Sequence, residues 1–186
     1  CTFSKTAKID RLFQNYSSNC PGASVMVIQK GQPVLFKSYG MANLEKQIPV
    51  TPETNFRLAS VTKQFTAMSI MLLVKENQLH LADQLTDIFP DFPDYGKKIT
   101  IQHLLQHTSG LIGYEDLIHD SATKQVHDDD VLTMMKSVDS TYFQPGTEHR
   151  YSNSAYAVLV MIIEKLSGLS RSEEHTSELQ SLLIIS

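Results

Sequence analysis

Ser60 and Lys63 are the residues of this sequence whose types and spacing best suit chemistry. They stand three positions apart in residues 56–65, a stretch that predicts the start of a helix, so both side chains share one face. A serine at a helix N-terminus lies beside free backbone N–H groups that suit a developing negative charge. A buried lysine loses its proton more readily than an exposed one. The pair therefore predicts a nucleophile, a base and part of an oxyanion site.

The helix that follows Ser60 is expected to be buried. Its apolar residues, from Val61 to Val74, follow a helical spacing and cover nearly every side of its second half. The alternative interpretation is an ordinary helix start with a surface lysine. A second Ser-x-x-Lys match begins at Ser121, but it runs into polar and acidic residues. The context therefore favours Ser60 as the nucleophile.

Tyr151 and Asn153 form a second candidate pair, just before another periodic apolar stretch. Two positions apart, their side chains can point into the same cleft. A phenol beside a lysine ammonium has a lowered pKa and becomes a usable proton acceptor. The alternative is that Tyr151 belongs to the core and Asn153 caps the helix, although Asn153 can do both.

The elements that must position these residues follow from periodicity and turn chemistry. Residues 6–16 predict an amphipathic helix, and residues 24–28 predict a central strand because they are apolar on both faces. Pro33 cannot donate to a sheet, so the strand over residues 34–39 is expected at an edge. The chain after Asn77 is mostly helical. Its helices are expected around residues 81–88, over 101–107, over 131–138 and from Asn153 to Gly168. Thr100 is the expected N-cap of the second of these helices, and Gly110 its expected stop.

Composition limits the classes of function. A hydrophobic fraction of 41% over 186 residues suffices for a packed core, and a net charge of −4 without a basic block argues against nucleic acid as a partner. The apolar run at residues 68–74 is too short to span a bilayer. Cys1 fits both a processed bacterial lipoprotein with a lipid anchor and an arbitrary fragment start. Only Cys20 could pair with it, which does not indicate a disulfide framework.

Four stretches in order resemble the β-lactamase-related serine hydrolases, a family of class C β-lactamases, D-alanyl-D-alanine carboxypeptidases and related esterases. They are the hairpin of residues 21–40, the Ser-Val-Thr-Lys of 60–63, the His-Thr-Ser-Gly-Leu of 107–111 and the Pro-Gly of 145–146 with the Tyr-Ser-Asn of 151–153. The resemblance covers roughly residues 10–170. It implies an α/β (α+β) fold of the β-lactamase/transpeptidase type, with an antiparallel sheet flanked by helices and an all-helical subdomain.

The resemblance also implies a role for each candidate residue. Ser60 would be the acylated nucleophile and its backbone N–H one oxyanion donor. Lys63 and Tyr151 would share the proton transfers, and Asn153 would hydrogen-bond the substrate. The implied substrate is a β-lactam, a D-Ala-D-Ala peptide, as in peptidoglycan, or an ester. No cofactor and no metal are implied, the expected location is the bacterial cell envelope, and the oligomeric state is left open.

The sequence departs from the family pattern in two places. His149 stands where the family often has an aromatic residue, and the third motif, His-x-Gly or Lys-Thr-Gly on a late strand, is absent. Residues 1–170 are therefore interpreted as a truncated domain that lacks its C-terminal strands and one oxyanion donor. Residues 171–186 resemble a translated sequencing adapter and are expected to be non-native. The 186-residue chain by itself is expected to be inactive and poorly folded.

Two other functions compete with hydrolysis. A metal site is suggested by four histidines, His103, His107, His119 and His127, but no glutamate follows His103 as the zincin pattern requires. A non-catalytic sensor or binding module on the same scaffold is the other alternative. The presence of all four candidate site residues argues against it.

Overall fold

The structure is a computed structural model that describes residues 2–16, 19–119 and 122–168. The chain divides into two compact units, with the boundary between Leu58 and Ala59. The first unit contains the strands and one helix, and the second is helical in its described part. The predicted mixed class, small antiparallel sheets with helices, is confirmed. The expectations for Cys1 and residues 171–186 lie outside the described residues.

The first unit is one helix and two β-hairpins. Its elements are α1 (Thr2–Leu12), β1 (Ala23–Gln29), β2 (Gln32–Tyr39), β3 (Met41–Asn43) and β4 (Ile48–Pro49). Strands β1 and β2 are antiparallel, with Ala23 opposite Tyr39, and the register shifts between Val27 and Ile28. Ile28 lies opposite Pro33, whose ring nitrogen has no hydrogen to donate to the ladder.

Strand β1 is not a central strand in the part of the chain that the structure describes. It pairs there with β2 alone, and Met26, Val27 and Ile28 are exposed. The small hairpin of β3 and β4 was not predicted from the sequence, because strands of three and two residues are too short to show a period.

The second unit is built from five α-helices and three short 3₁₀ segments within its described residues. The helices are α2 (Thr62–Lys75), α3 (Leu85–Ile88), α4 (Ile101–Leu105), α5 (Asp128–Ser137) and α6 (Asn153–Ser167). The 3₁₀ segments are Ala59–Val61, Asp94–Lys98 and Tyr114–Leu117. The helices predicted around residues 81–88, over 131–138 and from Asn153 are confirmed, with bounds that differ by a few residues.

Helix α6 is the centre of the second unit and packs against α2, α4 and α5. Its apolar residues recur at helical spacing, which places a wide stripe in the core. The buried members are Ala155, Ala157, Val158, Leu159, Ile162 and Ile163. The helix ends at Gly168, which adopts the left-handed conformation (φ 72°) common just past a helix C-terminus. Because α6 begins at Asn153, this packing fixes one side of the candidate site.

Helix α2 is buried on one side only, so the expectation of burial all round is wrong. Thr66, Ser69, Ile70 and Leu73 are buried. Four apolar residues at helical spacing are instead exposed: Val61, Phe65, Met68 and Met71. The apolar composition of a helix does not determine how many of its faces pack against other elements.

Two predicted helix ends are also corrected. The Thr100 side chain does cap α4, accepting a hydrogen bond from the His103 N–H at 3.2 Å. The helix nevertheless ends at Leu105, well before Gly110, and the left-handed conformation of His107 (φ 59°) cannot continue it. The cap of α6 is Ser152, whose hydroxyl accepts from the Ala155 N–H at 3.0 Å. Asn153 is the first helical residue, so its amide is not used as a cap.

No helix among the described residues is both long and apolar enough to cross a membrane.

Candidate active site

Ser60 lies in the 3₁₀ turn Ala59–Val61, which runs directly into helix α2. Ala59 has a positive φ of 46°, a conformation that costs an L-residue with a side chain roughly 1–2 kcal/mol. Such strain persists where surrounding structure imposes it, and it is common beside reacting groups. The first N–H groups of a helix have no acceptor within it, so the Ser60 turn offers donors beside the hydroxyl. The hydroxyl itself is on an exposed residue.

The structure brings Ser60, Lys63, Tyr151 and Asn153 together. The Ser60 Oγ and the Tyr151 hydroxyl oxygen are 2.6 Å apart, a strong hydrogen bond. The Lys63 Nζ is 3.4 Å from the Ser60 Oγ and donates to the Asn153 Oδ1 at 2.7 Å. The lysine thus lies between the serine and the asparagine, within reach of both.

Tyr151 is a solvent-facing phenol held against a cation. Tyr151 is 52% exposed, so it does not belong to the core that the described residues form. The Lys63 Nζ lies 4.8 Å from the centre of its ring. Hydrogen bonding by Lys63, and then by Ser60, holds the pKa of the Tyr151 phenol below its ordinary value, because both favour the phenolate. A phenolate at 2.6 Å from the Ser60 hydroxyl can accept its proton.

The segment that carries Tyr151 is hydrogen-bonded to the segment that carries His107. Three backbone N–H groups of residues 142–150 donate to carbonyls of residues 107–110, at 2.8–2.9 Å. These pairs are Tyr142 to Gly110, Gly146 to Thr108 and Arg150 to His107. Two loops that the sequence marked separately are therefore one structural unit, which fixes the position of Tyr151 beside Ser60.

The His107 ring packs against the Tyr151 ring and is hydrogen-bonded to the residue that follows Tyr151. Its Nδ1 accepts a hydrogen bond from the Ser152 N–H at 3.1 Å, and its ring centre lies 4.7 Å from that of Tyr151. Burial lowers the pKa of the His107 imidazole, and the nearby charges of His149 and Lys63 lower it further. A neutral ring is also what the hydrogen bond requires, since a protonated imidazole has no acceptor atom.

Two of the four histidines considered as metal ligands, His103 and His107, accept backbone hydrogen bonds. The His103 Nδ1 accepts from the Thr100 N–H at 3.3 Å, and the His107 Nδ1 from Ser152. Over residues 2–16, 19–119 and 122–168 the structure contains no group of three or more His, Cys, Asp or Glu side chains placed to hold a metal ion.

Two residues of the site were missed by the sequence reasoning, Glu115 and Ser154. The Glu115 Oε1 accepts from the Asn153 Nδ2 at 2.7 Å, on the side of the amide away from Lys63. The Ser154 hydroxyl, completely buried, accepts from the Tyr114 N–H and donates to the Ile112 carbonyl, each at 2.8 Å. A polar residue in the apolar stripe of α6 was a signal for Ser154, whereas Glu115 gave none.

A shallow pocket adjoins Asn153 and Tyr151 and gives a ligand access to both. Its other lining residues are Leu111, Gly113, Glu115, Asp116, Tyr142, Arg150 and Ser152. Two carboxylates and one guanidinium face this pocket, and the Arg150 guanidinium stacks on the Tyr142 ring at 3.7 Å from its centre. The pocket can receive a polar group beside Tyr151 and Asn153.

Known proteins are similar to this chain in sequence and in fold. The family model described as Beta-lactamase matches residues 9–179. A penicillin-binding protein of Bacillus subtilis (strain 168) is 37% identical over 150 residues, which are 79% of this chain and 33% of that protein. This chain thus spans about a third of the length of the curated relatives it matches.

Solved structures resemble this chain over nearly all of its length. The octameric penicillin-binding protein homologue from Pyrococcus abyssi has a TM-score of 0.77 at 30% identity, covering 95% of this chain and 41% of that one. The D-amino acid amidase from Ochrobactrum anthropi SV3, complexed with L-phenylalanine, has a TM-score of 0.74 at 25% identity, covering 95% and 49%.

Proposed function

This chain belongs to the β-lactamase family, and we propose that the protein is a serine hydrolase that forms an acyl-enzyme on Ser60. The observation that carries the proposal is the 2.6 Å contact between the Ser60 Oγ and the Tyr151 hydroxyl, with the Lys63 Nζ 3.4 Å from the same Oγ. A nucleophile, a proton acceptor and a cation that stabilises the acceptor's charged form are then in reach of one carbonyl carbon.

Acylation begins with the transfer of the Ser60 proton to the Tyr151 phenolate. The Ser60 Oγ uses the freed electron pair to bond to the substrate carbonyl carbon, and the carbonyl oxygen becomes an oxyanion. The Ser60 N–H, at the start of the turn that leads into α2, is one donor for that oxyanion. As the tetrahedral intermediate collapses, the bond to the leaving group breaks, and Tyr151 returns the proton to the departing nitrogen or oxygen.

Lys63 and Asn153 prepare this step. The ammonium of Lys63 lowers the pKa of Tyr151 and so raises the fraction of phenolate at neutral pH. Asn153 holds Lys63 through its Oδ1. Its Nδ2 has two hydrogens, of which one is used by Glu115 and the other is available to a substrate carbonyl. Deacylation repeats the proton transfers with water in place of Ser60.

The proposed substrates are those in which an acyl group is transferred from nitrogen or oxygen: a β-lactam, a D-Ala-D-Ala peptide of the peptidoglycan type, or an ester. The similarity to penicillin-binding proteins supports the first two and a location in the cell envelope. The similarity to a D-amino acid amidase adds a D-amino acid amide to the candidates.

The test uses the protein expressed from the complete reading frame that contains these residues. We expect at least one substrate of a panel, a chromogenic β-lactam, a nitrophenyl ester, a D-Ala-D-Ala peptide and a D-amino acid amide, to be turned over. Intact-mass measurement during turnover should show an adduct equal to the acyl group. If no member is turned over and no adduct forms, the non-catalytic alternative is favoured and this proposal is wrong.

A further inference from the structure

The Asn153 amide lies between two groups of opposite hydrogen-bonding character. On one side the Lys63 ammonium donates to Oδ1 at 2.7 Å. On the other the Glu115 carboxylate accepts from Nδ2, also at 2.7 Å. An ammonium can only donate and a carboxylate can only accept, so both contacts require the same orientation of the amide.

The oxygen and nitrogen of an asparagine amide are nearly equal in size, so packing alone does not distinguish the two orientations. The reverse orientation would set the Asn153 Nδ2 against the Lys63 ammonium, and its Oδ1 against the Glu115 carboxylate. Both contacts would be repulsive. Among the described residues, removal of Glu115 would leave Lys63 as the one charged partner that orients the amide.

Glu115 is held in place by the same helix that carries Asn153. It is in the 3₁₀ segment Tyr114–Leu117, and the Tyr114 N–H donates to the buried Ser154 hydroxyl at 2.8 Å. That hydroxyl also donates to the Ile112 carbonyl at 2.8 Å. Ser154 is the residue after Asn153, so donor and acceptor of the Glu115–Asn153 hydrogen bond share one rigid support.

We propose that Glu115 is a positioning residue of the active site. Its carboxylate keeps the Asn153 Oδ1 directed at Lys63 and one Nδ2 hydrogen directed at the pocket, where the substrate binds. Its acceptor oxygen, not its negative charge, performs this role. The proposal rests on the function proposed above, because the orientation matters only if Lys63 and Asn153 act on a substrate.

The experiment compares Glu115→Met with Glu115→Gln in the protein from the complete reading frame. Met has a similar length but no strong acceptor, whereas Gln retains an oxygen that can accept from the Asn153 Nδ2. We expect Glu115→Met to lower the acylation rate constant about 10- to 100-fold, the range for loss of one hydrogen bond to a charged group. Glu115→Gln should stay within about threefold of the wild type.

Two controls separate positioning from general damage. Glu148, exposed in the loop before Tyr151, supplies the matched pair Glu148→Met and Glu148→Gln, both expected to acylate at the wild-type rate. In an Asn153→Ala background, Glu115→Met should add no more than about a twofold loss, because its effect passes through the amide. The proposal would be overturned if Glu115→Met lowered the acylation rate constant as much in the Asn153→Ala background as in the wild type. Equal losses of rate in Glu115→Met and Glu115→Gln would also overturn it.

A readout that does not depend on turnover distinguishes this proposal from the proposed function. In a ¹H–¹⁵N spectrum of the side-chain amides, one Asn153 Nδ2 proton should be shifted downfield in the wild type and in Glu115→Gln, and unshifted in Glu115→Met. An inactive wild type with this pattern would refute the hydrolase proposal while supporting the geometry. An active wild type without a Glu115-dependent shift would refute the positioning role.

Discussion

The Ser60 Oγ lies 2.6 Å from the Tyr151 hydroxyl oxygen, although the two residues are 91 positions apart in the sequence. Ser60 belongs to the turn before α2, and Tyr151 to the loop before α6. Helices α2 and α6 pack against each other, and the Lys63–Asn153 hydrogen bond joins their first turns. The proton acceptor of the proposed reaction is thus positioned by the core of the second unit.

Tyr151→Phe tests this contact. The substitution keeps the ring and removes the hydroxyl, so Ser60 loses its nearest proton acceptor. We expect acylation to slow by about 10² or more, the usual contribution of a general base. Stopped-flow measurement of adduct formation gives the rate constant. Tyr16→Phe removes an exposed phenol hydroxyl outside the site and should acylate at the wild-type rate. A rate for Tyr151→Phe within threefold of wild type would remove Tyr151 from the proton transfers.

Lys63→Arg tests whether Lys63 does more than supply a charge. Arginine keeps the positive charge but is larger and planar, so it cannot replace the compact ammonium that lies between Ser60 and Asn153. We expect kcat to fall by at least about 10². The same substitution at Lys75, exposed at the end of α2, should leave kcat unchanged. Near-normal turnover of Lys63→Arg would reduce its role to charge alone.

His107 predicts a dependence of stability on pH. Burial lowers the pKa of its imidazole in the folded protein, so the unfolded chain, with a value of about 6.5, binds more protons in that range. Stability should therefore decrease as the pH falls below about 6.5 and level off below the lowered folded pKa. His107→Asn, which tolerates φ 59°, should flatten this dependence.

Urea unfolding between about pH 5 and 7.5 measures the effect. His80→Asn, at an exposed position outside the site, is the control and should retain the wild-type slope. An unchanged slope in His107→Asn would mean that another group is responsible for the pH dependence.

Ser154→Ala tests the buried support of the site. The substitution leaves the Tyr114 N–H and the Ile112 carbonyl without the hydroxyl that satisfies both. We expect the free energy of unfolding to fall by about 1–3 kcal/mol, the cost of buried polar groups left unsatisfied. Ser137→Ala, at an exposed position near the end of α5, should change it by less than about 0.5 kcal/mol. Equal values for the two variants would contradict the structural role of Ser154.

Local patterns explain which elements could be predicted from the sequence. Residues three apart on a helical turn are neighbours, so the sequence alone predicts that the Ser60 and Lys63 side chains lie close together. The apolar period of α6 and the Thr100 cap are also determined within a few residues. The proximity of Tyr151 to Ser60 came only from the resemblance to a family, because no local rule joins positions 91 apart.

Tertiary contacts explain what could not be predicted. The exposed face of α2 depends on which neighbours a helix finds, and its composition does not contain that information. His107 was a metal candidate because the sequence shows an imidazole but not the Ser152 N–H that occupies its Nδ1. Glu115 is an exposed acidic residue like many others until the fold sets it against Asn153.

The central claim is that Ser60 is the nucleophile, and covalent labelling with a serine-directed phosphonate tests it most directly. The protein from the complete reading frame is treated with the probe, and peptide mapping by mass spectrometry locates the adduct. We predict one adduct, on Ser60, that is lost in Ser60→Ala and kept in Ser121→Ala, which alters the other Ser-x-x-Lys match. Labelling that survives Ser60→Ala, or that disappears in Ser121→Ala, would contradict the account.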